Sequence, residues 1–448
     1  MTFVPFTHPV WSTACSFILA GFVVVMTDRL ALPPAARAKA RAVAGGNPYV
    51  DLAARAAVIL PVFLLFFAIS WRPLYAFAGT VSFFVIFTGI SRLKFNDIRE
   101  PLIFSDLALV LLLFAHRELF RATWLGVGAV VLALVYIFGA SALFYIYEPS
   151  VLPDRGWPGL VAAGLVLAAL PWLLPVPHAP RAALVRLAGR IVGADAIAPL
   201  TVRLGTFAAV VYGFLVWLGY RPRPSAAHPG PIAVGRGPQP LLIVWQSESF
   251  VDMRRHGVSV SLPNLDALRR RSVAWGRMAS VFEGGYTLRT EFAVLSGLAP
   301  AEIGPDASYP YLRAHAYSGI TWPDRLRQAG WATRFVHPYE AGFFLRDHAL
   351  PKLGFDALTM LDAFDHDASR DGPYVSDLTL SRRVLKFCGG DGDDQGRFLF
   401  VASMENHGPW SPGRDGDKVD ALDIYVGLLE RSDQALGYLV EVLYRLER

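Results

Sequence analysis

The chain has 448 residues, 54% of them hydrophobic, and a formal net charge of +5. A mean hydropathy of +0.38 excludes an ordinary water-soluble protein and makes a membrane the first expectation. The two cysteines, Cys15 and Cys388, exclude a disulfide framework and read as small buried hydrophobes.

In chain order, the apolar excess comes first and ends before residue 221. Six runs, at 10–27, 54–71, 74–91, 124–146, 157–176 and 202–220, approach the roughly 20 residues that a spanning helix needs. No convincing cleavage site follows the first, which therefore reads as an anchor. The shorter run at 106–115 is too brief to cross and reads as re-entrant or interfacial. Lys and Arg are retained on the cytoplasmic side. With six spans, one set of connections carries fourteen: Arg29, Arg37, Lys39, Arg41 and Arg55, then Arg92, Lys94, Arg99, Arg117 and Arg121, then Arg181, Arg186, Arg190 and Arg203. The opposite set carries only Arg72 and Arg155. The N-terminus and everything after Tyr220 are therefore expected outside the cytoplasm. The pI near 9.2 then reflects topology and attraction to the membrane surface, with no nucleic-acid partner.

Residues 221–240 hold six prolines and three glycines without periodicity and read as a linker. The expected organisation is a transmembrane domain over 1–220, the linker, and an extracytoplasmic domain over 241–448. In the last region "PLLIVWQSES" reads as a strand buried on both faces and "LPNLDALRRR" as a helix opened by Pro263. "TWPDRLRQAG" and "WATRFVHPY" read as helix then strand. "SDLTLSRRVLKF" is a helix capped by Ser376, "RFLFVASMENHGPW" a strand running into a loop, and "LDIYVGLLERSDQALGYLVEVLYRLER" a long helix. "GGDGDDQGR" at 389–397 fits no calcium-ligand spacing and reads as a solvated turn. Alternating strands and helices predict a mostly parallel sheet between helices, with sites at the carboxyl ends of the strands.

Glu248 stands where the first apolar run ends. There it is either an ordinary surface glutamate or an oxygen ligand for a hard cation. Thr287, behind Gly284 and Gly285 at a helix start, is either an N-cap or an activated alcohol at a helix terminus suited to phosphate. His337, Arg346 and His407 follow later strands. Each alone suits a structural role, Arg346 by pairing with Asp347 or a neighbour; together they suit a phosphate ester.

The strings "LLIVWQSESFVD", "PNLDAL", "EGGYTLRTEFAVLSGLAP", "RFVHPYEAGFFLRD", "LGFDAL" and "SMENHGPW" resemble, in order and spacing, the sulfatase-like domain of lipoteichoic acid synthases and related phosphoglycerol transferases. The membrane half, including "REPLIFSDLAL", is also similar. The resemblance implies that Glu248 is a metal ligand and that Thr287 is both metal ligand and nucleophile. Thr287 would attack a phosphatidylglycerol-type donor in the membrane and hold a glycerophosphoryl group for an extracytoplasmic glycan or teichoic-type acceptor. It places His337, Phe344, Arg346 and His407 against the substrate, with manganese or magnesium as the cation and zinc as the alternative. Phosphoethanolamine transfer is a neighbouring activity. Sulfatase hydrolysis fits less well, because sulfatases convert Cys or Ser to an aldehyde that Thr287 cannot supply. The family completes its metal site with an adjacent Asp-His pair beyond the long helix in which this chain ends, so the α/β domain is expected to be incomplete at Arg448. Asp347-His348 and Asp365-His366 fall in the wrong places to substitute. A non-catalytic binder of anionic lipid or polymer is the alternative from another class.

Overall fold

The computed structural model describes residues 9–107, 135–136, 139–140, 142–151, 179–193, 196–222, 241–282, 286–388 and 395–446. The expected spans at 124–146 and 157–176 lie largely or wholly outside these, as do most of the 106–115 run, the linker from residue 223, Gly284 and Gly285, and the start of the 389–397 turn. The chain divides into two compact units, the first ending at Arg221.

In the first unit, α1 (Pro9–Thr27), α3 (Pro48–Ser70) and α4 (Pro73–Ile98) are long and apolar helices, and all three are long and apolar enough to cross a membrane. Between them α2 (Pro34–Val43) is a short amphipathic helix. Asn47 caps α3 by accepting from the Tyr49 amide at 2.9 Å, and Pro48 and Pro73 occupy first-turn positions where no amide donor is needed. Later helices are α5 (Ala179–Val192), α6 (Ile197–Leu204) and α7 (Thr206–Gly219). The run expected to cross at 202–220 is not one continuous helix. Gly205 (φ 81°) breaks it, and α7 has only 14 residues. A Cβ on Gly205 would sit 1.9 Å from Asp28 Oδ2, so the break lets a carboxylate reach the backbone of the next helix. Asp28 takes up the Thr206 amide at 3.1 Å and Arg55 Nη1 at 3.0 Å. Cys15 is exposed on α1, contrary to expectation, whereas Cys388 is buried.

In the second unit, four strands form a parallel sheet in the order β1-β4-β2-β3: β1 (Leu241–Gln246), β2 (Ala332–Val336), β3 (Ala357–Thr359) and β4 (Arg397–Ala402). Alternation with helices predicts this arrangement, because parallel neighbours require crossovers. The helices that position the site are α8 (Pro263–Arg271), α9 (Thr287–Ser296), α10 (Trp322–Gln328), α11 (Asp377–Cys388) and α12 (Ala421–Leu446). Ser376 Oγ accepts from the Thr379 amide at 3.3 Å and so caps α11, as expected. Val336, Leu399 and Val401 of the sheet pack with Leu380 and Val384 of α11 and Leu439 of α12. β1 is not buried on both faces. It is an edge of the described sheet, and Leu242 is 41% exposed. The short strand β3, within the string "LGFDAL" and just after it, was not anticipated as a strand.

Candidate active site

Parallel register brings β1, β2 and β4 to one end of the sheet, with Gln246 opposite Ala402 and Val336 opposite Val401. Their trailing loops carry Glu248, His337 and His407, as expected for an open parallel sheet. Two bonds tie the β1 and β4 loops together: the Ser403 amide donates to Gln246 O at 3.0 Å, and the Glu248 amide to Ser403 Oγ at 3.2 Å. Ser249, next to Glu248, takes a left-handed backbone (φ 54°). Phe344 and Leu345, just before Arg346, do the same at 58° and 59°. Such strain in non-glycine residues costs on the order of 1 kcal/mol each and persists only where surrounding contacts enforce it.

Helix α9 supplies the hydroxyl. It buries Leu288, Phe292 and Leu295 on one stripe, each worth about 1.5–3 kcal/mol in apolar burial, and ends at Gly297 (φ 70°), whose amide returns to Ala293 O. Thr287 is its first helical residue, and the N-cap position falls on Tyr286. Thr287 Oγ1 donates to Glu248 Oε1 at 2.6 Å. The N-cap reading of Thr287 therefore fails, and the juxtaposition with Glu248 holds. Burial pushes the Glu248 carboxyl above its ordinary range; the Thr287 bond, Arg346 and His407 oppose that rise. A carboxylate so raised is a stronger proton acceptor than one in water.

Behind this pair lies a buried layer. Arg346, 1% exposed, donates Nη2 to Glu291 Oε2 at 3.0 Å, and its Nη1 lies 3.2 Å from His337 Nε2. The Glu291 carboxylate also accepts the Tyr311 hydroxyl. His337 places Nδ1 3.0 Å from Ala402 O. A carbonyl can only accept, so Nδ1 carries the proton and Nε2 receives the bond from Arg346. Burial and the Arg346 charge drive the His337 pKa well down, and the ring is neutral. His337 thus holds the arginine. With Nε also directed at Glu291 Oε1 at 3.5 Å, three of the five guanidinium N–H groups are used and one is left on each terminal nitrogen, the fork that suits a phosphate. Arg346 also lies 5.4 Å from the Phe344 ring centre, and Phe344 meets Tyr286 and Tyr309 edge-on. His407 is half-buried, with Nδ1 2.8 Å from Gly408 O.

Several of these groups escape a reading of the sequence. Glu291 is one; its signal was the spacing from Thr287, four residues on the same helical face. It, and not Asp347, pairs with Arg346; Asp347 lies 3.8 Å from His348 at the surface. Asp377, at the start of α11, is another. It accepts from Ser432 Oγ at 2.7 Å and from Ser403, whose oxygen also holds the Glu248 amide. Its own amide donates to Glu405 Oε2 at 2.6 Å. Burial, then the Glu405 charge, pushes its pKa up to about 7.

Glu248 and Thr287 would supply two adjacent hard oxygens to a cation. Divalent cations of this kind take four to eight ligands, and among the described residues no group of three His, Cys, Asp or Glu is arranged to hold one. The described set therefore does not fit a complete metal site, although sulfatase-like relatives typically bind a divalent metal.

The sulfatase family profile matches residues 238–447. The capsular polysaccharide biosynthesis protein RkpI of Rhizobium meliloti (strain 1021) is 50% identical over 464 residues, spanning 100% of this chain and 86% of RkpI. Among solved structures, lipoteichoic acid synthase LtaP from Listeria monocytogenes matches at TM-score 0.39 and 22% identity, over 46% of this chain and 52% of that one. The Streptococcus pyogenes phosphoglycerol transferase GacH, in complex with sn-glycerol-1-phosphate, matches at 0.38 and 24%, over 47% and 59%. The chain thus spans only about half the length of these two structures. Identity of this extent with RkpI shows that the chain belongs to the same family as RkpI, and the profile match gives it a sulfatase-like domain over residues 238–447.

Proposed function

We propose that this protein is a membrane-anchored transferase that moves a phosphoglycerol group from a phosphatidylglycerol-type lipid to an extracytoplasmic glycan through a phosphothreonine-linked intermediate. The observation that carries the reading is the 2.6 Å bond from Thr287 Oγ1 to Glu248 Oε1, with the Arg346 fork held behind it by Glu291 and His337. The motif resemblance supports phosphoglycerol as the group. The name of RkpI, a capsular polysaccharide biosynthesis protein, favours a polysaccharide acceptor.

Thr287 Oγ attacks the phosphodiester phosphorus as its proton passes to Glu248; the Oγ–P bond forms and the bond to the diacylglycerol oxygen breaks. The Arg346 N–H pair and the first-turn amides of α9 take the charge that develops on phosphate oxygen. His407, with Nδ1 held by Gly408, presents Nε2 to give the leaving oxygen a proton. In the second half an acceptor hydroxyl attacks phosphorus, its proton goes to His407, and Thr287 leaves with the proton held by Glu248. Phe344 walls the glycerol side. Six spans, with the second unit outside the cytoplasm, would give this centre a lipid donor without extraction from the bilayer.

Intact-mass measurement of the full-length protein after incubation with phosphatidylglycerol tests the reading. A glycerophosphoryl adduct on Thr287, absent in Thr287→Ala, is expected. An adduct with the mass of phosphoethanolamine from phosphatidylethanolamine would reassign the group, and no adduct with either lipid would refute covalent transfer. The Thr287→Ala protein should remain folded, since the substitution removes one hydrogen bond worth about 1 kcal/mol.

A further inference from the structure

The first unit holds a second cluster of charge. A cavity of about 110 Å³ between the end of α1, the turn after it and α2 is lined by Asp28, Arg29, Arg37, Arg41 and Arg55, with Val25 and Leu32 as its apolar wall. A wider recess of about 510 Å³ shares Arg41 and Arg55 and adds Asp51 and Arg203. Both carboxylates are already matched: Asp28 to Arg55 at 3.0 Å and Asp51 to Arg203 at 2.7 Å. Arg55 also gives Nε to Arg203 O and Nη2 to Val202 O. That leaves Arg29, Arg37 and Arg41. Arg37 donates to Arg29 O at 2.5 Å, and none of the three has an ion pair with a carboxylate among the described residues. Three cations converge on one hollow, then, with their charge uncompensated by the described protein.

Like charges so grouped repel, and their natural counterpart is an anion with several oxygens. The recess lies at the ends of α1 and α3, two helices long enough to cross a membrane, which is the depth of lipid headgroups. Basic pockets between spanning helices hold anionic headgroups. We propose that the 110 Å³ cavity binds a phosphate group, presented by an anionic phospholipid of the surrounding leaflet, at a site separate from Thr287. Arg29, Arg37 and Arg41 bind the phosphate oxygens, and Val25 and Leu32 line the side toward the glycerol and acyl chains. The Asp28–Arg55 and Asp51–Arg203 pairs hold the walls. This assignment does not depend on the transfer reaction.

The test is native mass spectrometry of the full-length protein in detergent, titrated separately with phosphatidylglycerol, phosphatidylcholine and inorganic phosphate. Wild type should retain phosphatidylglycerol and not phosphatidylcholine. The Arg29→Gln, Arg37→Gln, Arg41→Gln triple variant should bind it on the order of a hundredfold more weakly, since each arginine near an anionic surface is worth about fivefold. Arg41→Gln alone should show about a fivefold loss, which keeps the test usable if the triple variant is unstable. Displacement of the lipid by inorganic phosphate would support the phosphate site and assign it to a soluble phosphate compound. Equal binding by wild type and variants, or an equal loss in Arg186→Gln, whose arginine lies outside the recess, would overturn the proposal.

Discussion

The Glu291–Arg346 pair gives the sharpest stability test. Both side chains are buried, at 0% and 1% exposure, with Nη2 and Oε2 3.0 Å apart. Glu291→Ala removes one member and leaves a guanidinium uncompensated in the interior, a change that costs about 3–5 kcal/mol. At roughly 2–4 °C per kcal/mol for a unit of this size, the midpoint of thermal unfolding of the full-length protein should fall by about 6–20 °C. The alternative is that Glu291 stabilises merely by filling space. Replacing both members with apolar residues separates the two ideas. Glu291→Leu with Arg346→Met removes the stranded charge and leaves His337 Nε2 with an unmade bond, about 1–3 kcal/mol, while the Tyr311 hydroxyl loses its Glu291 partner in both variants alike. The double variant should therefore unfold at a higher temperature than Glu291→Ala. A single variant within about 2 °C of wild type, or a double variant whose loss equals the sum of the two singles, would refute the claim that charge balance holds this layer together.

The raised pKa of Asp377 predicts a pH effect on stability. An unfolded aspartate titrates near 3.8 and the folded one at about 7, so the folded state is penalised increasingly as pH climbs through that window. Wild type should lose thermal stability as pH rises from about 4 to about 7, and Asp377→Asn, which keeps an acceptor for Ser432 and Ser403, should flatten the slope; an unchanged slope would remove Asp377 as its source. Glu248 must be ionised to take the Thr287 proton, so adduct formation should rise with pH across an acidic limb set by its elevated pKa. A wild-type limb at the pH of an unperturbed glutamate would contradict burial as the controlling influence. A reporter enzyme fused after residue 222 should be active only outside the cytoplasm; cytoplasmic activity would refute the count of six spans.

Some of this was legible in the residues themselves. Val, Ile, Leu and Phe runs between helical patterns announced β1, β2 and β4, and the strand-end rule then selected Glu248, His337 and His407. Ser376 before "DLTL" announced the cap of α11. What escaped was set by long-range packing. Arg346 looks placed to pair with its neighbour Asp347, yet its charge is met by Glu291, 55 residues earlier, because α9 and the loop after β2 converge only in the fold. Whether a strand is central or peripheral depends on which partners flank it, so the apolar run of β1 could not reveal its exposed edge. A single glycine, Gly205, ended an apolar run that hydropathy alone would continue. The roles of Glu248 and Thr287 were suggested less by position than by similarity to a family, and geometry narrowed the choice for Thr287 by showing its hydroxyl turned away from the helix amides.

Thr287 and Glu291 sit one turn apart on the same rigid rod. The Thr287 hydroxyl and the counter-ion of Arg346 thus travel together, and any tilt of α9 displaces both in concert. Evolution cannot retune their separation by moving the helix. On the proposed transfer reaction, discrimination between headgroups would be adjusted elsewhere, at the aromatic rim formed by Tyr286, Tyr309 and Phe344, where side chains can change without disturbing that fixed ruler.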